Sequence, residues 1–182
     1  MASLPGFGAP APGFDEPLEM LLACHGRIQD RIATLEKLVP HLARAGCDAA
    51  AQEAARSVLR YFDTAGANHH QDEEQDLFPL LRRHAGERGR ADVPAALDDL
   101  AREHGTMNEA YARIRARLAD IVEARSARLD IEQVAHVAWI YRRHMMREEA
   151  LAFGFAAETL TPQERAELGA RMAQRRGAQA SR

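Results

Sequence analysis

The amino-acid sequence predicts an all-α protein with four long helices and a short fifth one. Three observations lead there. The composition is 46% hydrophobic but only 5% aromatic, with abundant Ala, Leu, Arg and Glu, so few windows could feed a β-strand. Apolar residues recur at steps of three and four through most of the chain. Proline and glycine gather at the breaks between those periodic segments. At 182 residues the chain is long enough for one domain with a sizeable core.

The elements follow in order. Residues 1–16, "MASLPGFGAPAPGFDE", are rich in Gly and Pro and read as an irregular arm. A first helix opens at Pro17, a residue suited to a first turn, and stops at Gly46; Pro40 is a candidate kink in its last turns. A second long helix spans about Ala49 to His84, and "AGERGRADV" is a loop. Pro94 opens a third helix that reaches about Arg125, and "SARLD" turns the chain. A fourth helix covers about Ile131 to Thr159. "TPQE" at Thr161–Glu164 is a capping-box pattern with proline in the first helical position, so a short fifth helix follows. The division is thus an arm at 1–16, a helical bundle at 17–160, and a short helix with a polar tail at 161–182.

Charge and targeting narrow the function. A net charge of −3 gives a nucleic-acid partner no bulk electrostatic support. No apolar run is long enough to span a bilayer, and the N-terminus carries no basic-then-apolar leader. Cys24 and Cys47 make no disulfide framework, so a cytoplasmic location is expected.

Each long helix has an apolar seam, and a histidine interrupts each seam. The first reads Leu18, Leu21, His25, Ile28, Ile32, Leu35; the second Leu59, Phe62, Gly66, His69, Glu73, Leu77, Leu80. The third reads Leu97, Leu100, His104, Met107, Tyr111, Ile114, Leu118; the fourth Val134, Val137, Tyr141, His144, Glu148, Leu151, Phe155. Counting about 1.5 Å per residue from the turns brings all four histidines and both carboxylates to one height. Buried imidazoles and carboxylates are costly unless paired or metal-bound. Nitrogen and oxygen donors without thiolate suit iron, manganese or zinc. Six or seven donors exceed one tetrahedral ion, and two ions bridged by carboxylates fit better. The His-x-x-x-Glu spacing lets one helix serve both.

"HHQDEEQDLFPLL" and "HMMREEALAFGF" resemble the two His-x-x-x-Glu elements of hemerythrin-like (HHE cation-binding) domains. "ACHGRI" and "REHGTM" resemble the lone histidines of that family's first and third helices. The resemblance covers about Leu18 to Phe155. It implies an antiparallel up-down-up-down four-helix bundle holding a non-haem di-iron centre, with zinc or manganese as possible substitutes. Carried over residue by residue, the ligands are His25, His69, Glu73, His104, His144 and Glu148. In the family's oxygen carriers the third helix has two histidines four apart, and the last helix has His and Asp five apart. Here Asn108 follows His104 at four, and Glu148 follows His144 at four, a pattern closer to the HHE subgroup.

The "HHQDEE" run leaves two registers open, His69 with Glu73 or His70 with Glu74. The seam favours the first, and by resemblance so does Pro79, six residues after the metal glutamate. His70 lies on the inner edge of the same stripe and is expected as a further ligand to the second ion. Asp72, Glu74, Asp76 and Glu149 are expected on a solvated acidic rim. His41, His84 and His136 are expected off the site, Cys24 as a small buried residue, and Tyr111 and Tyr141 as core packing.

What the resemblance implies for function is binding or sensing of dioxygen or a related small redox ligand, or iron handling. A di-iron oxidase or peroxide-decomposing enzyme is the first alternative. A metal-responsive interaction module is the second.

Overall fold

The computed structural model describes residues 11–178, and the first ten residues of the expected arm lie outside it. Among the described residues there are five helices and no strand. Helix α1 is Pro17–Ala45. It runs unbroken through Pro40 and ends where Gly46 takes a positive φ of 69°, a left-handed conformation that costs glycine little. Helix α2 covers residues 49–87 and starts at Asp48, whose carboxylate accepts the amide of Ala51 at 2.8 Å. Helix α3 is Asp92–Val122. Helix α4 covers residues 131–159 and is capped by Asp130, which accepts from the amides of Glu132 and Gln133. Helix α5 is Pro162–Arg175, and the expected capping box forms between Thr161 and Glu164.

Contacts along each neighbouring pair of long helices run in opposite directions. Cys24 meets Tyr61 while Arg31 meets Ser57; Asp63 meets Tyr111 while Arg82 meets Asp98. Glu36 meets Arg142 while His25 meets Glu148, and Asp99 meets Arg147 while Glu103 meets Arg143. Two apolar blocks fill the interior. One holds Leu21, Leu77, Phe78, Leu81, Leu100 and Phe153; the other holds Ile28, Leu35, Val58, Phe62, Ile114 and Val137. The polar layer lies between them. At full burial each such side chain contributes ~1.5–3 kcal/mol, so the blocks fix the height of the layer.

Two helices depart from regular α geometry. In α2 the segments Phe62–Gly66 and Asp72–Leu77 are π-helical, and in α4 the segment Glu149–Phe153 is. A π turn closes i→i+5 bonds and holds one residue more than an α turn, and such bulges recur at functional sites. After the last two of these segments the seam is disturbed. Leu80 is only partly buried while Leu81 is fully buried, and Leu151 is exposed while Ala152 and Phe153 turn inward. The α-periodic seam therefore misplaces Leu80 and Leu151, while Leu77 and Phe155 are buried as it expects.

Helix α5 lies against α1 and α2 and adds Leu168 and Met172 to the first apolar block. At Gly169 a β-carbon would stand 1.8 Å from the carbonyl oxygen of Phe14, so only glycine permits this approach. No helix among the described residues is long and apolar enough to cross a membrane.

Candidate metal centre

The polar layer takes His25 from α1, His69, His70 and Glu73 from α2, His104 from α3, and His144 and Glu148 from α4. All but His70 are buried, and Glu73 and Glu148 are fully so. One donor atom each from His25, His69, Glu73 and Glu148 lie within 4.8 Å of one another. His69 Nε2 is 2.9 Å from Glu73 Oε1, and His25 Nε2 is 3.1 Å from Glu148 Oε2. On the other side, the Nε2 atoms of His104 and His144 face each other at 3.0 Å. The His70 ring stacks on that of His104 with centroids 4.0 Å apart. The two groups of histidines share the carboxylates: His104 Nε2 is 3.4 Å from Glu73 Oε2, and His144 Nε2 is 3.6 Å from Glu148 Oε2.

The outer ring nitrogens explain how the imidazoles are aimed. Nδ1–H of His25 donates to Glu149 at 2.8 Å, that of His104 to Glu74 at 2.6 Å, and that of His144 to Glu103 at 3.0 Å. A proton held at Nδ1 leaves the Nε2 lone pair pointing inward, and a carboxylate partner makes that nitrogen a stronger donor. Glu74 and Glu149 are half-exposed, as expected of rim residues, but they also brace ligand-type histidines on other helices. Glu103 has no counterpart in the sequence reading. It precedes His104 yet serves His144, and it is itself held by Arg143 at 2.9 Å and by Arg147.

Asp72 and Asp76 correct the expectation of a solvated rim. Both are buried, Asp72 completely, and both pair with arginines at the C-terminal end of α5. They stand on the face of α2 that packs against α5, about 100° around the helix from the inward-facing Glu73. Elsewhere, His41 pairs with Asp48, His84 with Glu164, and His136 stacks on Trp139, all away from the layer. Cys24 is buried and accepts from Arg27 at 3.0 Å. Tyr111 and Tyr141 pack on Phe62, and the Tyr111 hydroxyl donates to Asp63.

Electrostatics show a site that lacks internal compensation. Burial pushes the Glu73 carboxyl up to about 8, and burial with the neighbouring Glu73 charge raises Glu148. Burial and neighbouring imidazoles hold His104 well below its usual range and push His70 down to about 3. Although part of His70 meets solvent, its ring is enclosed by the other histidines. Burial also depresses His144. His25 goes the other way: burial opposes its charge, but the Glu148 and Glu149 carboxylates outweigh it.

A cation fits this donor set. Both carboxylate oxygens of Glu73, Oε1 of Glu148 and Nδ1 of His69 are buried without a hydrogen-bond partner among the described residues. The 2.9 Å approach of His69 to Glu73 lacks hydrogen-bond geometry, so it is proximity without a bond. Buried polar groups without a partner are costly, and a positive ion at their focus removes that cost. Two donors each about 2.1 Å from one ion and at right angles stand about 3.0 Å apart, close to the separations seen here. No sulfur enters the cluster.

Comparison with known proteins agrees with this geometry. An uncharacterized protein of Haemophilus influenzae is 29% identical over 163 residues, covering 90% of this chain and 91% of that protein. The model of the Hemerythrin HHE cation binding domain matches residues 16–156, from the start of α1 into the last turns of α4. The buried His/Glu layer and this match along most of the sequence place the chain in the Hemerythrin HHE cation binding domain family.

Proposed function

We propose that the layer holds two non-haem iron ions inside an antiparallel up-down-up-down four-helix bundle, and that the protein binds or senses dioxygen or a related small redox ligand, or handles iron. One observation carries the two-ion reading: Glu73 and Glu148 each approach histidines of both groups. His25 and His69 would serve one ion, His104, His144 and His70 the other, and the two carboxylates would bridge. Iron bound there supplies a redox-active Lewis acid for a small ligand. The chain's own residues do the rest. Glu149, Glu74 and Glu103 hold protons at three outer nitrogens, and the two apolar blocks keep bulk water from the donors. Zinc or manganese would accept the same donors.

The test is iron loading of metal-free protein under anaerobic conditions, followed by metal analysis and optical spectra before and after dioxygen. Two irons per chain and a spectrum that responds to dioxygen are expected, with Glu73→Ala and Glu148→Ala each falling below two irons. A wild-type stoichiometry of one, or full loading of both variants, overturns the reading.

A further inference from the structure

Helix α5 lies beyond the family match, which ends at residue 156, yet it ends directly over the segment that carries Glu73. Asp72 Oδ1 accepts from Arg175 and, at 3.1 Å, from Arg176; Oδ2 accepts from Arg176 at 2.6 Å. Asp76, one turn on, accepts from Arg175 at 2.6 Å and from Arg171 at 3.2 Å. Both Arg175 and Arg176 are themselves largely buried, and Arg176 also donates to the carbonyl of Met172 at 2.9 Å, which fixes its fork. These are the forked, charge-assisted pairs that define geometry as well as charge.

We propose that Arg175 and Arg176 are positioning residues for the metal centre, acting through Asp72 on the adjacent Glu73. The inference rests on the reading of Glu73 as a metal ligand. Asp72 and Glu73 are consecutive on one helix and cannot rotate independently. Asp72 has no solvent exposure, so without the arginines it is a buried, uncompensated carboxylate. The cheapest relief is to turn that segment until Asp72 meets water, and the same rotation carries Glu73 out of the layer. The clamp also holds the π-helical turn Asp72–Leu77, on which Asp72 faces α5 while Glu73 faces the histidines. The C-terminal helix thus supplies the charge that lets an acidic segment point a glutamate inward.

Ferrous ion is titrated anaerobically into metal-free wild type, R175Q/R176Q, D72N/R175Q/R176Q, E164Q and E73Q, with circular dichroism of each metal-free chain. Replacing the outer partners of a metal ligand costs ~10–100-fold in affinity, so R175Q/R176Q should weaken the Kd at least tenfold. Adding D72N removes the uncompensated charge and should restore most of that loss. E164Q loosens only the other end of α5, where Glu164 holds Arg83 and His84, and should leave the Kd near wild type. Where the double replacement unfolds the metal-free chain, R176Q against D72N/R176Q carries the same comparison. An unchanged Kd in R175Q/R176Q, a failure of D72N to restore binding, or an equal loss in E164Q overturns the proposal. E73Q separates the two levels: if it binds iron like wild type, the ligand assignment falls. If E73Q loses iron while R175Q/R176Q keeps it, only the clamp falls.

Discussion

Removing metal should give the protein an uncommon dependence of stability on pH, and the layer sets both its sign and its size. In the metal-free fold the Glu73 carboxyl sits at about 8, against 4.5 for an ordinary glutamate. From pH 4.5 upward the unfolded chain gives up this proton and the folded chain keeps it. Stability conferred by the group is therefore complete below 4.5 and is lost as pH rises to about 8. His25, also raised, acts in the same direction above 6.5. His70, His104 and His144 act in the opposite direction because their folded values are depressed. Their contribution is complete above 6.5 and is lost as pH falls. Between 4.5 and 6.5 the three depressed histidines oppose the raised carboxyls of Glu73, Glu74 and Glu148, so the two sets work against each other. Above 6.5 the histidine contribution is flat, and Glu73 and His25 draw stability down. The metal-free protein should therefore lose stability as pH rises above 6.5. From there to pH 8, Glu73 alone costs about 1.5 × 1.36, or roughly 2 kcal/mol. For a chain of this size that lowers Tm by roughly 4–8 °C. A bound cation needs the carboxylates ionised, so metal-loaded protein should not show the alkaline fall, and metal affinity should rise roughly 30-fold over the same interval. The measurement is a series of thermal melts from pH 5 to pH 8.5, with chelator and with iron. A metal-free Tm that is flat or rising between pH 6.5 and pH 8 would falsify the assignment of Glu73 as a buried, protonated carboxyl.

Two further outcomes follow from the same geometry. Glu74→Ala, Glu103→Ala and Glu149→Ala should each keep the metal stoichiometry but weaken affinity by ~10–100-fold, since each removes the partner that aims one imidazole. Anaerobic titration checks this, and wild-type affinity in all three would mean that the outer carboxylates are passive. Leu77→Ala, at a fully buried site beside Glu73, should cost ~2–5 kcal/mol in urea unfolding of the metal-free protein. A loss below about 1 kcal/mol would show that the apolar block under the layer is loosely packed.

The "EE" pairs show where local pattern stops being informative. In "HHQDEEQD" and "HMMREEAL" the first glutamate of each pair falls on the seam, and periodicity alone assigns it inward. The second glutamate lies about 100° around the helix and looks like solvated charge. Its partner is on another helix: Glu74 meets His104 thirty residues away, and Glu149 meets His25 across 124 residues. Glu103 and the arginines of α5 were illegible for the same reason. A salt bridge between helices depends on their relative rotation, which no single helix encodes.

What the sequence alone determined is the helical class, the capping box at Thr161, the stop at Gly46, and four seams each broken by a histidine. These are short-range matters of propensity, capping and period. The coincidence in height of His25, His69, His104 and His144 was also legible, because helix rise is constant and the turns could be placed. Tertiary structure decided the rest. The π-helical turns at Asp72–Leu77 and Glu149–Phe153 make a regular period misplace Leu80 and Leu151, and the docking of α5 buries Asp72, which its own helix would leave facing solvent. Local sequence fixed which residues could reach the layer, and the long-range pairing of charges fixed which way the rest of the helix had to turn.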